Sequence, residues 1–133
     1  MTLFICEIDR SKQVIHWVNA GHDPAMIYDR EGDRFEELTG NALPLGVSET
    51  AAYQKLDKEI IAGQIIMMGT DGIWEAQNPQ GEMFGKERFK NIVRENAGQP
   101  AKDIIQAVIK EVDRFCHPLE KADDVTLVIT KIE

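Results

Sequence analysis

No apolar run in the 133-residue sequence approaches the roughly 20 residues that cross a bilayer. That absence excludes a membrane-spanning helix within it. The opening "MTLFICEIDRSKQ" alternates and carries acids early, so it does not read as a secretory leader. Cysteine is scarce as well. Cys6 and Cys116 share no metal-ligand spacing and fall in apolar periodic segments. They read as small buried hydrophobes in a reducing cytoplasm, not as a disulfide. Positive charge is in deficit, with 15 Lys and Arg against 23 Asp and Glu, a net charge of −8. That balance argues against a nucleic acid or an anionic membrane as partner. Ser11 and Ser48 lack a Gly-x-Ser-x-Gly context, and "GNALPLG" lacks the Lys-Ser/Thr of a P-loop. Neither nucleophilic serine chemistry nor P-loop nucleotide binding is supported. Repeats, linkers and low-complexity stretches are missing too, so residues 1–133 read as one folding unit.

The apolar residues, 43% of the chain, are patterned for a core. "TLFICEID" alternates, with Leu3 and Ile5 on one face and Phe4, Cys6 and Ile8 on the other. With "QVIHWVNA" it forms a hairpin over residues 3 to 19. "GHDP" breaks the chain, and "AMIYDREGDRFEEL" is a second hairpin turning at Glu31-Gly32-Asp33. "TGNALPLGV" is loop, "AYQKLDKEI" fits an edge strand, and "IIMMGT" is an apolar strand. After residue 85 the period changes. Phe89, Ile92 and Val93 fit a helix from near Gly85 to near Gly98. A second helix, "QPAKDIIQAVIKEVDRFC", has Pro100 at its start and a stripe of Ile104, Ile105, Val108, Val112 and Phe115. His117-Pro118 ends it, and "DDVTLVITKIE" is a closing strand. The pattern is α+β: a mostly antiparallel sheet with two helices on one face.

Asp71 follows one strand, in "GTDG"; Asp123 and Asp124 precede another. If those strands are antiparallel neighbours, the three carboxylates share one rim. Such a rim can hold Mg²⁺ or Mn²⁺, which take oxygen ligands, with Gly72 leaving room for water or a phosphate oxygen. Asp-Gly is equally the chemistry of an ordinary turn, and Asp-Asp of an ordinary loop; on spacing alone the turn is the commoner outcome. His22, beside Asp23 in "NAGHDP", could serve acid–base or ligand chemistry, but fits better as a residue bonding a backbone carbonyl. His16 and His117 have no assigned role. Trp17 and Trp74 read as packing residues. Lys86, Arg88, Lys90 and Arg94 read as a solvated helix face that could also greet a phosphorylated partner.

"NAGHDPAMIYD", "LPLGV", "GTDGIWEAQNPQGEMFGKERF" and "ADDVTLVI" occur in this order, and together they resemble the SpoIIE-type bacterial serine/threonine phosphatases. These are a branch of the metal-dependent PPM, or protein phosphatase 2C-like, family. The resemblance runs from about Leu3 to Ile132. It implies a hydrolase of bacterial signalling that removes phosphate from serine or threonine with water activated by two Mn²⁺ or Mg²⁺ ions. The metal-binding aspartate of the family's Thr-Asp-Gly motif falls on Asp71. The aspartate opening its last strand falls on Asp123, with Asp124 as the adjacent candidate. No other catalytic residue is assigned, and His22 stays structural. The expected partner is a phosphorylated protein such as an anti-sigma-factor antagonist, in the cytoplasm.

The family's metal-bridging aspartate-glycine motif, which lies in the first part of its domain, has no counterpart in this sequence. Residues 1–133 therefore match the C-terminal portion of a SpoIIE-type domain, a partial α/β/β/α sandwich lacking its N-terminal part. Metal binding is expected to be weak or absent and the chain alone inactive. An alternative function is that of a partner-binding module, or one that self-associates as a homo-oligomer through an exposed sheet face.

Overall fold

The computed structural model describes residues 1–41, 43–120 and 123–133. Ala42 of the "TGNALPLGV" loop, and Lys121 and Ala122 at the start of "ADDVTLVI", lie outside the described residues. The elements run β1 (Leu3–Asp9), β2 (Val14–Ala20), β3 (Ala25–Asp29), β4 (Arg34–Leu38), β5 (Leu56–Glu59), β6 (Ile65–Gly69), α1 (Lys86–Asn96), α2 (Ala101–Cys116) and β7 (Leu127–Lys131).

The strands form two antiparallel sheets, ordered β1-β2-β5 and β4-β3-β6-β7. Side-chain alternation explains the layering. On β3, Met26 and Tyr28 join Phe89, Val93, Ile104, Val108 and Val112 of the helices in one core. Ala25 and Ile27 face the other way and pack with Ile15 and Trp17 of β2. On β6, Ile65 and Met67 face the helices while Ile66 faces the smaller sheet. Strands buried on both faces read as continuous apolar runs, which is what "AMIY" and "IIMM" are. The result is three layers: helices, four-stranded sheet, three-stranded sheet. The α+β expectation holds, with both helices on one face of the larger sheet. The edge strand expected in "AYQKLDKEI" is β5, paired to β2 with Trp17 opposite Leu56. Regular pairing in the last strand begins at Leu127, later than the Asp123 start expected from its alternation. The outer face of the smaller sheet carries Leu3, 39% exposed, and Ile5, 58% exposed.

Gly85 opens α1 at φ 82°, a conformation that suits glycine. Just past its other end, Lys131 of β7 donates through Nζ to the carbonyls of Ala97 and Gln99, in the short connection between α1 and α2. The cations of α1 are not a free solvated face. Arg88 lies over Phe115 and donates to the Met83 and Phe84 carbonyls. Lys90 and Arg94 lie over Phe35, and Lys86 lies over Trp74 at 5.1 Å. Arg94 also donates to Asp33 at 2.6 Å.

That Arg94 hydrogen bond, with a second from the Tyr28 hydroxyl, holds the Asp33 carboxyl below the usual carboxylate range. Burial, and then the Asp33 hydrogen bond, push Tyr28 up. At the β1–β2 turn, the Ser11 hydroxyl and the Lys12 backbone N–H hold Asp9 at about 2. A carboxyl depressed by folding stabilises the fold above its unfolded pKa and loses that contribution as pH falls through the folded value. Stability should therefore decline on acidification below about pH 4. Asp9→Asn should flatten the fall in Tm between about pH 4 and about pH 2. An unchanged acid limb would contradict the assignment.

Candidate functional site

β6 and β7 pair antiparallel with Gly69 opposite Leu127, and the pairing continues one step past both strands. The Thr70 N–H donates to the Thr126 carbonyl at 3.1 Å, and the Thr126 N–H donates to Thr70 Oγ1 at 3.1 Å. The same hydroxyl donates to the Asp124 carbonyl at 3.2 Å. Asp71 thus leaves β6 on the rim where Asp123 and Asp124 approach β7, and all three residues are exposed. Asp71 opens a helical turn in which Ile73 N–H bonds the Thr70 carbonyl and Glu75 N–H bonds the Asp71 carbonyl at 2.8 Å. Asp123 Oδ1 accepts the Asp124 N–H at 2.8 Å, so one of its oxygens is engaged locally.

Gly72 does not leave room for a ligand as expected. It is buried, and a Cβ there would collide with the Asp124 carbonyl. The missing side chain admits the partner backbone, which brings the two acidic segments together.

The "NAGHDP" loop reaches the same rim. Asn19 closes it, donating through Nδ2 to the His22 carbonyl and accepting the His22 N–H through Oδ1, each at 2.9 Å. His22 Nδ1 lies 2.8 Å from the Asp23 carbonyl oxygen, in keeping with a turn-fixing role. Asp23 Oδ2 accepts the indole N–H of Trp74 at 2.7 Å, a contact across 51 residues. Sequence reasoning overlooked both Thr70 and Asp23. The adjacency of strand ends could have pointed to Thr70; nothing local marks Asp23. His16 lies on β2, and His117 follows α2.

The donors are hard oxygens at an exposed rim, which suits Mg²⁺ or Mn²⁺. Among the described residues no group of three His, Cys, Asp or Glu side chains forms a metal cage. Mg²⁺ is commonly held by one or two carboxylates and keeps several waters, so the residues fit a loose site. Asp123 and Asp124 also line an open depression of about 560 Å³ with Asp113, His117 and Glu120. Gly72→Ala should destabilise the fold by about 1–3 kcal/mol, the range for overpacking a filled position. Chemical denaturation would measure it, and a variant as stable as wild type would contradict the close approach.

Similar proteins of known sequence and structure bear on this geometry. The chain is 24% identical over 135 residues to the phosphoserine phosphatase RsbU of Bacillus subtilis, an alignment covering 98% of this chain and 38% of RsbU. Its structure superposes on the SiaA-PP2C domain of Pseudomonas aeruginosa with a TM-score of 0.86 at 20% identity, over 99% of this chain and 52% of that one. It superposes on the manganese-presoaked phosphatase domain of the cell fate determinant SpoIIE from Bacillus subtilis with a TM-score of 0.70 at 21% identity, over 99% and 58%. These superpositions establish a PP2C-type fold, of which the chain spans little more than half. The family model for Stage II sporulation protein E matches residues 1–133, and the chain belongs to the SpoIIE family.

Proposed function

We propose that this chain carries one side of the metal centre of a phosphoserine or phosphothreonine protein phosphatase. Asp71 and Asp123 would hold Mn²⁺ or Mg²⁺, with Asp124 as the adjacent ligand. The observation that carries this reading is the shared rim, where the β6–β7 pairing and Thr70 hold Asp71 beside the Asp123–Asp124 approach. RsbU, a phosphoserine phosphatase, and the manganese-presoaked SpoIIE domain support the same chemistry. Bound there, the ion would offset phosphate charge and lower the pKa of water. The chain's own part is to fix the carboxylates: Thr70 ties the two approaches, and Gly72 lets them close. The substrate would be a phosphorylated cytoplasmic protein of the anti-sigma-factor antagonist kind.

The chain spans 38% of RsbU, and no bridging aspartate-glycine motif has been identified in the sequence. A two-metal clamp needs ions about 3.5–4 Å apart, which two strand-end approaches supply only in part. We expect Mn²⁺ to raise the Tm of the wild type, because a ligand that binds only the native state stabilises it. Asp71→Asn should abolish the rise; an equal rise in both would contradict the ligand role. Phosphopeptide turnover by the chain alone, with Mn²⁺, should stay at background, and robust metal-dependent hydrolysis would contradict the incomplete centre.

A second reading, a partner-binding or self-associating module, is favoured by the apolar outer face of β1. Leu3 and Ile5 are 39% and 58% exposed there. Light scattering should give a mass that rises with concentration and falls to the monomer in Ile5→Lys. A wild-type mass independent of concentration would contradict it.

A further inference from the structure

We propose that Asp23 is a positioning residue for the rim, acting through Trp74 to hold the turn that carries Asp71. The proposal rests on the metal reading above and adds a residue that makes no assigned contact with metal or substrate. Trp74 is 6% exposed and sits one helical turn beyond Asp71. Its ring lies against the last residue of β6: a Cβ on Gly69 would stand 3.1 Å from ring carbons Cη2 and Cζ3. Phe89 meets the ring edge-on at 6.0 Å, and the Trp74 carbonyl accepts the Gly85 N–H at 2.8 Å. These contacts hold the ring from the β6 and α1 sides. On the side of the "NAGHDP" loop the indole N–H is held by Asp23 Oδ2 at 2.7 Å.

A bond from an indole to a carboxylate is charge-assisted, shorter and stronger than a neutral one. The acceptor is itself placed rigidly. It follows the Asn19–His22 pair of hydrogen bonds and precedes β3, buried on both faces. A chain of contacts therefore runs from the Asn19-closed loop through Asp23 and Trp74 to the turn of Asp71. The Thr70 bonds fix the start of that turn; Asp23 fixes its far end. Residues that orient ligands from behind typically alter metal affinity when removed, by 10–100-fold.

The test uses the full 133-residue chain as wild type, Asp23→Ala, Asp23→Asn and Trp74→Phe. Mn²⁺ affinity is read from the electron paramagnetic resonance of the free ion, below the Tm of every variant. Asp23→Ala and Trp74→Phe should each weaken binding by about tenfold. Asp23→Asn, whose amide oxygen can accept the same bond, should bind as the wild type does. Equal affinities throughout would overturn the proposal. So would an Asp23→Asn as weak as Asp23→Ala, which would mean that the charge of Asp23 acts directly. Amide hydrogen exchange without metal supplies an independent arm. Exchange in the turn at Gly72–Glu75 should quicken in Asp23→Ala and Trp74→Phe while the β1–β2 hairpin is unchanged. Unchanged exchange, or quickening spread across the chain, would overturn the proposal. If the wild type binds no Mn²⁺, the metal reading fails and the exchange arm alone decides the role of Asp23.

Discussion

The register of β6 against β7 decides where the acids of the rim stand. A one-residue slip in a strand exchanges its two faces. Here that would turn Met67 away from the helices and Ile66 away from the smaller sheet, both of them buried. Ile129, opposite Met67, is fixed in the same way. Burial on both sides of β6 therefore locks the pairing, and the locked pairing carries Thr70 to Thr126 and Asp71 to the Asp123–Asp124 approach. The rim inherits its geometry from a core in which no charged residue is buried among the described residues.

The helices make that core possible and connect the two strands. α1 and α2 occupy the chain between Asp71 and Asp123 and cover the face of the sheet from which Met26, Tyr28, Ile65 and Met67 project. Lys131 of β7 then bonds the Ala97 and Gln99 carbonyls of the α1–α2 connection, which ties the last strand to the helical layer. The cations of α1 serve the same docking. They lie on Trp74, Phe35 and Phe115, which ties the hairpin of β3 and β4 to the helical layer. A phosphate partner would have to compete with these contacts.

Local pattern made much of this fold legible. Both hairpins, the apolar strand ending at Gly69 and the two helices follow from period, turn residues and caps. The partition into two sheets does not, because β2 pairs with β5 and β3 with β6 across long loops, and the strings of the two hairpins look alike. Neighbouring strands for Asp71 and Asp123 could be inferred from an apolar strand, a helical pair and a returning strand. The identity of what they hold came from resemblance, since carboxylates at a turn are ambiguous. Gly72 shows why: an absent side chain marks a close approach but does not say whether ligand or backbone makes it. Asp23 shows the opposite limit, a hydrogen bond to Trp74 that no local spacing encodes.

Paramagnetic broadening of amide NMR signals by substoichiometric Mn²⁺ tests most directly whether two strand ends share one ion. Thr70, Asp71 and Gly72 should broaden together with Asp123, Asp124 and Val125, ahead of other acidic segments. Broadening of one segment without the other, or broadening spread evenly over the acidic surface, would contradict a common site.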